Sequence, residues 1–315
     1  MKPTRDRIRH CLVTSALVSA GIALWSARRK RAQRATEQLI QVPSERAKQL
    51  LDRVAPLLRL PGSPHRAPKV LQDGSGLRCL ETDRICPYLD GILDLLPGQQ
   101  PKTFAQRSLD TPLTVWAYDR FREALTRAAN SPGFPVEVAM IQRTLQAHHG
   151  DVVLDLACGQ GNFTVEWAKR VGPTGLVIGL DYSWPMLQRA AYHVKRWGLD
   201  NVLLIHGDAH HLPFADGILN KINCSGGFHQ FPDLPQALSE ISRVSASSAV
   251  LTTSTFAQRP DDPRAGVKQW MKRRFDLHFV PLVEMGEQLQ ERGYIDYEWL
   301  LPGSGWFGYA SARKA

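Results

Sequence analysis

The sequence predicts an α/β protein built on a doubly wound, mostly parallel sheet, and two observations carry this prediction. Apolar runs at 152–156, 175–181 and 201–208 have the composition of strands that are buried on both faces. Two segments of helical character, 162–169 and 183–197, separate these strands. Strands that alternate with helices form parallel sheets covered by helices on both sides. At 315 residues, the chain is long enough for one such domain with smaller additions.

A glycine turn joins the first of these strands to the first helix, in the sequence Ala157-Cys158-Gly159-Gln160-Gly161. Gly159 and Gly161 have no Cβ, so the backbone can turn tightly there and a ligand can come close. By itself, this turn is also compatible with an ordinary glycine-rich connection that binds nothing.

Three carboxylates lie at the ends of the three predicted strands: Asp155, Asp181 and Asp208. The carboxyl ends of parallel strands share one edge of the sheet, which is where open α/β sheets bind ligands. A carboxylate some twenty residues beyond a Gly-x-Gly turn is placed to accept hydrogen bonds from a ribose. The spacing therefore predicts a nucleoside-containing cofactor without identifying it.

The net charge of +9 is concentrated in the first residues rather than in the predicted domain. Residues 1–34 carry nine lysines and arginines against the single acid Asp6, which accounts for +8. A nearly neutral body lacks the clustered basic residues that nucleic-acid binding needs. The five cysteines include no CxxC pair, which predicts neither a disulfide framework nor an intact zinc site and favours an intracellular, reducing compartment.

The first 56 residues form a basic segment and a helical connector. Residues 11–27 carry no charge and are mildly apolar, and Arg28-Arg29-Lys30-Arg31 follows at once. We expect residues 1–34 to associate with a membrane surface, either by spanning it or by lying on it with the arginines on anionic headgroups. The alternative is an organelle-targeting segment that is cleaved.

Several sequence motifs resemble those of known families. VLDLACGQGNFT, GLDYSWPMLQRA, GDAHHLPF and GGFHQFPDLPQALSEISRV look like successive motifs of class I S-adenosylmethionine-dependent methyltransferases, especially the ubiquinone/menaquinone C-methyltransferase-like group. The resemblance covers about residues 110–315. It implies a Rossmann-like sheet of seven strands with a reversed C-terminal hairpin strand, which agrees with the hairpin signal at 295–313. The methyltransferase domain is expected over 141–315.

Residues 57–98 resemble the small zinc ribbon found ahead of some methyltransferase domains, through CPYLDGILDLLP. In that alignment, the four ligand positions hold Leu60, Ser63, Cys79 and Thr82, so only one ligand is present. A structural zinc site needs about four nitrogen or sulfur ligands, and no bound metal is expected. The segment is predicted to be a degenerate ribbon-like module, with a proline- and glycine-rich linker as the alternative.

The resemblance also implies roles for individual residues. Asp155, Ala157, Gly159 and Gly161 would surround the methionine part of the cofactor, and Asp181 would hold the ribose. The remaining residues of the predicted cofactor site border the adenine or the sulfonium: Tyr182, Met186, Asp208, Ala209, Cys224 and Ser225. NAD is the competing cofactor, but Thr164 occupies the position of the third glycine of a dinucleotide site. S-adenosylmethionine is therefore the predicted cofactor.

Two segments are candidates for covering the acceptor. Residues 99–140 are predicted to be a helical lid or linker, with Tyr118 and Arg122 facing the ligand. The insertion 258–279, which contains Trp270, lies where such enzymes vary to fit their substrates. A surface excursion without a substrate role is the alternative for this insertion.

His229 follows the fourth strand and is the candidate general base, since imidazole suits proton removal from a phenol or ring carbon. The first functional hypothesis is methyl transfer to a small lipophilic acceptor, such as a quinone-like ring. An RNA guanine methyltransferase and a non-catalytic S-adenosylmethionine-binding scaffold are the alternatives.

Overall fold

A computed structural model describes residues 44–60, 65–96, 111, 115, 133–259, 261–275, 278–302 and 305–315. The predicted membrane segment at 1–34 and the lid residues Tyr118 and Arg122 lie outside these ranges. Within them, the helices are α1 (Ser44–Val54), α2 (Phe134–Leu145), α3 (Asn162–Val171), α4 (Trp184–Arg196), α5 (Leu234–Val244), α6 (Ala265–Phe275) and α7 (Leu282–Glu291).

The described part of the chain contains strands of two to fourteen residues. They are β1 (Lys69–Val70), β2 (Gly76–Arg78), β3 (Ile85–Leu89), β4 (Ile92–Asp94), β5 (Val152–Leu156), β6 (Leu176–Asp181), β7 (Val202–His206), β8 (Leu219–Ser225), β9 (Ser245–Gln258), β10 (Val280–Pro281), β11 (Tyr294–Leu300) and β12 (Phe307–Lys314).

The centre of the sheet is the predicted doubly wound arrangement. Strands run in the order β7-β6-β5-β8-β9, all parallel, and β12 then pairs antiparallel with β9 before β11 completes the hairpin. The middle strands β5 and β6 are apolar except for Asp155 and Asp181 near their carboxyl ends, because helices cover both faces of the sheet. This seven-stranded core with its reversed last strand confirms the predicted fold class.

Helix starts follow the sequence signals closely. Ser183 caps α4, its hydroxyl accepting a hydrogen bond from the Met186 backbone N–H at 3.4 Å, and Pro185 lies in the first turn. Asp233 caps α5 in the same way through the Gln236 N–H at 3.0 Å. These caps fix where both helices begin, and each beginning lies beside the carboxyl edge of the sheet.

The N-terminal strands extend the sheet rather than standing apart from it. β1, β2, β3 and β4 form an antiparallel set, and β4 pairs in parallel with β7, with Asp94 opposite His206. The segment predicted to be a ribbon-like module, 57–98, joins the main sheet through β4, where Ile92 and Leu93 are completely buried beside β7. Cys79 and Cys86 are buried in the core, and neither forms a disulfide with another cysteine in the described part of the chain.

The described residues offer neither a metal cluster nor a membrane-spanning helix. No group of three or more His, Cys, Asp or Glu side chains among them is arranged to hold a metal ion. Their helices are all too short or too polar to cross a bilayer.

Candidate active site

The glycine turn leaves open space at the carboxyl end of β5. Ala157, Gly159 and Gly161 all have positive φ values, of 54°, 54° and 80°. A Cβ added to Gly159 would meet nothing within 4 Å, whereas one added to Gly161 would lie 3.0 Å from the Ala190 Cβ on α4. Gly161 therefore lets α3 and α4 approach each other, and Gly159 leaves room for a ligand.

Asp155 is buried near the end of β5, where it accepts hydrogen bonds from side chains on α3 and β8. The Thr164 hydroxyl donates to one of its oxygens at 2.6 Å, and the Asn223 side-chain amide donates to the other at 2.8 Å. Burial raises the pKa of Asp155 to about 6, although both hydrogen bonds oppose this shift. Thr164 stands where a dinucleotide site would have glycine, and here its hydroxyl ties α3 to β5.

Asp181 joins the glycine turn to the start of α4. One carboxylate oxygen accepts the Gly159 N–H at 2.7 Å, and the other accepts the Ser183 N–H at 2.8 Å. Burial raises the pKa of this carboxyl group, while the backbone donors lower it. Each oxygen keeps a further lone pair, so Asp181 can still accept the two hydroxyls of a ribose.

Asp208 lies at the same edge, after β7. Burial alone would raise its pKa, but the hydrogen bonds from the His210 ring at 2.7 Å and from the His210 backbone at 3.0 Å lower it. Asp208 in turn raises the pKa of His210. The carboxylate therefore stays ionised and able to accept a further donor such as an amino group.

The loops after β5 and β8 lie against each other. A Cβ on Gly227 would come within 2.7 Å of both the Ala157 Cβ and the Cys224 Sγ. Burial raises the pKa of the Cys224 thiol well above its ordinary value. The Ser225 hydroxyl donates to the Asn223 side-chain oxygen at 3.0 Å. Met186 lies at the start of α4, shortly after Asp181, and it is buried. Ala209 directly follows Asp208 after β7 and is also buried.

These residues fit the predicted S-adenosylmethionine. The Gln160 side-chain oxygen, in the glycine turn, is buried without a hydrogen-bond partner in the described part of the chain. Asp181 offers acceptors suited to a ribose, Asp208 one suited to an amino group, and Gly159 leaves the space above the turn open.

Two functional candidates were missed in the sequence because their partners are far away along the chain. Asp94 on β4 lies 2.8 Å from Nδ1 of His206, whose Nε2 lies 3.2 Å from the Tyr182 backbone oxygen. The Trp184 ring contacts the same imidazole edge-on at 5.3 Å. The added strand β4 therefore supports the loop that follows Asp181. No local sequence pattern indicates that Asp94 pairs with a residue 112 positions away.

The second missed candidate is Glu137 on α2. It is buried, and its carboxylate accepts a hydrogen bond from the Ser254 hydroxyl at 2.8 Å. Ser254 lies opposite Ser225 in the pairing of β8 with β9, at the carboxyl edge. The signal available in the sequence is a single acid within an otherwise apolar helical run, Phe-Pro-Val-Glu-Val-Ala-Met.

His229 is buried on the short 3-10 helix Phe228–Gln230. Its Nδ1 lies 3.2 Å from the Thr255 hydroxyl, and its ring meets Phe256 edge-on at 4.6 Å. Burial lowers the pKa of His229 to about 3, with a smaller contribution from His278. The imidazole is therefore neutral at pH 7. The Phe256 backbone N–H donates to Nδ1 at 3.5 Å, so Nδ1 is the acceptor and the ring proton lies on Nε2.

An aromatic cluster adjoins His229 and consists of Phe256, Phe279, Trp306 and Phe307. Phe256 lies 4.4 Å from Phe307 and 5.7 Å from Phe279, and Phe279 lies 5.9 Å from Trp306, measured between ring centroids. The cluster gathers the ends of β9, β10 and β12. Trp270 on α6 is separate from this set of contacts and is 58% exposed.

Comparisons with known proteins agree with this geometry. A methyltransferase domain model matches residues 147–292. The chain is 35% identical over 185 residues to the demethylmenaquinone methyltransferase of Lactiplantibacillus plantarum, covering 58% of this chain and 73% of that one. It is 32% identical over 161 residues to the Geobacillus stearothermophilus enzyme of the same name, covering 51% of this chain and 65%, just under two thirds, of that relative.

Among solved structures, Haemonchus contortus phosphoethanolamine N-methyltransferase 2, in complex with S-adenosylhomocysteine, matches with a TM-score of 0.56 at 16% identity. The match covers 70% of this chain and 61% of that one and shows a shared fold. The match to the Lactiplantibacillus plantarum enzyme covers 73% of that relative at 35% identity, and this establishes the family. The chain belongs to the class I S-adenosylmethionine-dependent methyltransferases, in the family of the demethylmenaquinone methyltransferases, and S-adenosylmethionine is its methyl donor.

Proposed function

We propose that this enzyme methylates a small lipophilic ring compound of the quinone type. The observation that carries the proposal is the aromatic cluster beside His229, which lies toward the carboxyl ends of β8 and β9, on the same edge of the sheet as the predicted cofactor residues. Aromatic side chains bind flat rings through offset and edge-to-face contacts. The two relatives described above are named for a demethylmenaquinone substrate, which is such a ring.

The residues of the chain supply binding and orientation. Bound S-adenosylmethionine supplies an electrophilic methyl group, and its transfer releases one proton from the acceptor. Phe256 and its neighbours hold the ring, and the apolar surroundings exclude water. The Nε2–H of His229 donates a hydrogen bond to a ring oxygen of the acceptor. Since burial opposes the imidazolium form, orientation suits this side chain better than storing a proton, and its role as general base stays a prediction.

The RNA guanine alternative gains no support from the relatives found. The direct test incubates the purified enzyme with methyl-labelled S-adenosylmethionine and, in parallel, demethylmenaquinone that has been chemically reduced to its quinol, and ribosomal RNA. We expect label in the quinone fraction only. Label in the RNA, at a salt concentration that leaves specific binding intact, would contradict the proposal.

We also propose that the enzyme is intracellular and that residues 1–34 bring it to a membrane. The support is the sequence itself: an uncharged stretch at 11–27 followed by four consecutive basic residues. Mass spectrometry of the protein from the membrane fraction tests this. An intact N-terminus in that fraction is expected, whereas a mature chain that begins near residue 35 would favour the cleaved targeting segment.

A further inference from the structure

Helix α6 presents a mixed apolar and basic face to solvent. Val267 and Trp270 are 51% and 58% exposed, and Arg273 and Arg274 are exposed beside them. At 100° per residue, these four side chains fall within about 120° of the helix circumference. The buried Lys268 lies on the opposite side.

The charge on this face has one sign. The helix, Ala-Gly-Val-Lys-Gln-Trp-Met-Lys-Arg-Arg-Phe, contains no acid, and three of its four basic residues stand together in the last turn. A tryptophan and a valine flanked by arginines and lysine have the composition of helices that lie in a membrane interface. An anionic bilayer surface matches both the charge and the exposed apolar side chains.

Lys268 fastens the inner side of the helix to the acceptor site. Its Nζ donates to the Ala257 backbone oxygen at 2.5 Å, to the Asp262 carboxylate at 2.5 Å and to the Gly305 backbone oxygen at 3.1 Å. The same ammonium group lies 5.1 Å from the centre of the Phe279 ring and 5.4 Å from that of Trp306. Lys268 thus connects α6 to the aromatic cluster.

We propose that the outer face of α6 docks on an anionic lipid bilayer and brings the aromatic cluster to the membrane from which a lipophilic acceptor enters. The choice of acceptor rests on the proposed function, but the docking itself does not. This surface is distinct from the basic N-terminal segment, since Val267, Trp270, Arg273 and Arg274 all belong to the catalytic domain.

The test compares binding of the full chain to phosphatidylglycerol-containing vesicles and to pure phosphatidylcholine vesicles, without any acceptor. We expect Trp270→Ala, and separately the double change Arg273→Glu with Arg274→Glu, to weaken binding to the anionic vesicles by about tenfold or more. Trp197 is equally exposed at 58% and follows Lys195 and Arg196 on α4. Its Trp197→Ala variant, and Lys195→Glu with Arg196→Glu, serve as matched controls and should bind like the wild type.

A second measurement covers the case in which residues 1–34 keep every variant on the vesicles. Brominated lipids quench tryptophans that enter the bilayer, so the difference between the wild type and Trp270→Phe reports on Trp270 alone. Quenching of that difference signal supports docking, and its absence in vesicle-bound protein overturns it. Equal losses in the α6 variants and the α4 controls, or binding to RNA in place of vesicles, would also overturn it. Methyl transfer plays no part in either readout, so a wrong acceptor leaves the docking result interpretable.

Discussion

The donor half and the acceptor half of the sheet edge are built in different ways. At the donor half, around β5, β6 and β7, each carboxylate is held by short hydrogen bonds from nearby backbone and side-chain groups. At the acceptor half, around β8, β9 and β12, aromatic rings distant in sequence meet one another, and the central histidine is kept neutral by burial. Under the proposed function, the donor half would bind the charged cofactor, and the acceptor half would bind the ring through its shape and apolar surface.

The largest expected effect breaks the donor half alone. Asp181→Asn turns one acceptor oxygen into an amide that cannot accept from Gly159 or Ser183, so the turn and the ribose site are both disturbed. We expect affinity for S-adenosylhomocysteine, measured by calorimetry, to fall by about tenfold to a hundredfold. Asp200→Asn, which removes a carboxylate paired with Arg46 at the surface, is the control and should bind normally. An unchanged affinity of Asp181→Asn for S-adenosylhomocysteine would show that Asp181 does not belong to the cofactor site.

The pH dependence of the free energy of unfolding tests the burial of His229 in the acceptor half. The pKa of His229 is lowered on folding from about 6.5 to about 3. Between these values the unfolded chain binds the proton and the native chain does not. The contribution of His229 to the free energy of unfolding is therefore fully present above about pH 6.5 and is lost as the pH falls toward 3.

The size of this loss follows from roughly 1.4 kcal/mol for each unit of pKa difference. Asp155 acts in the opposite direction, since its raised pKa favours folding at low pH and this gain fades as the pH rises through about 6. Urea unfolding of the wild type and of His229→Gln, each at pH 7 and pH 4.5, separates the contribution of His229 from that of Asp155. Asp155 is present in both proteins, so its contribution cancels in the comparison. The wild type should lose more stability than the variant on acidification. Equal losses would mean that the imidazole is not buried as described.

A smaller effect tests the support that β4 gives to the donor half. Asp94→Asn weakens the hold on His206 and, through it, on the Tyr182 loop. We expect the KM for S-adenosylmethionine to rise by about threefold to tenfold with kcat nearly unchanged. Asp94→Glu should recover part of the loss, and Asp90→Asn, on the exposed turn before β4, should cause none. A fall in kcat with an unchanged KM would argue against a positioning role.

The two halves also differ in what the sequence reveals. Gly159, Asp181 and Asp208 were found from spacing, because successive βα units place the end of every strand at one edge. The helix caps Ser183 and Asp233 are also local signals, because each lies directly before the helix that it caps. The roles assigned to the cofactor residues are not tested individually by the fold, and they stay predictions.

The aromatic cluster, Glu137 and the Asp94–His206 contact arise from tertiary packing between distant segments. Phe256 meets Phe307 because β12 runs antiparallel beside β9 in a definite register, and a register is not visible in either strand alone. The joining of residues 92–94 to the main sheet was missed for the same reason. Trp270 was placed in a substrate-covering insertion, and its outward exposure became known only from the structure.

The most direct test of the division between donor and acceptor halves is a steady-state measurement on Phe256→Leu with both substrates varied. Phe256 contacts His229, Phe279 and Phe307 but no residue of the glycine turn among the contacts described. We predict that the KM for a quinone acceptor rises by about tenfold, as expected when an aromatic contact is lost, while the KM for S-adenosylmethionine stays within about twofold. A rise confined to S-adenosylmethionine, or an equal rise for both substrates, would contradict the division.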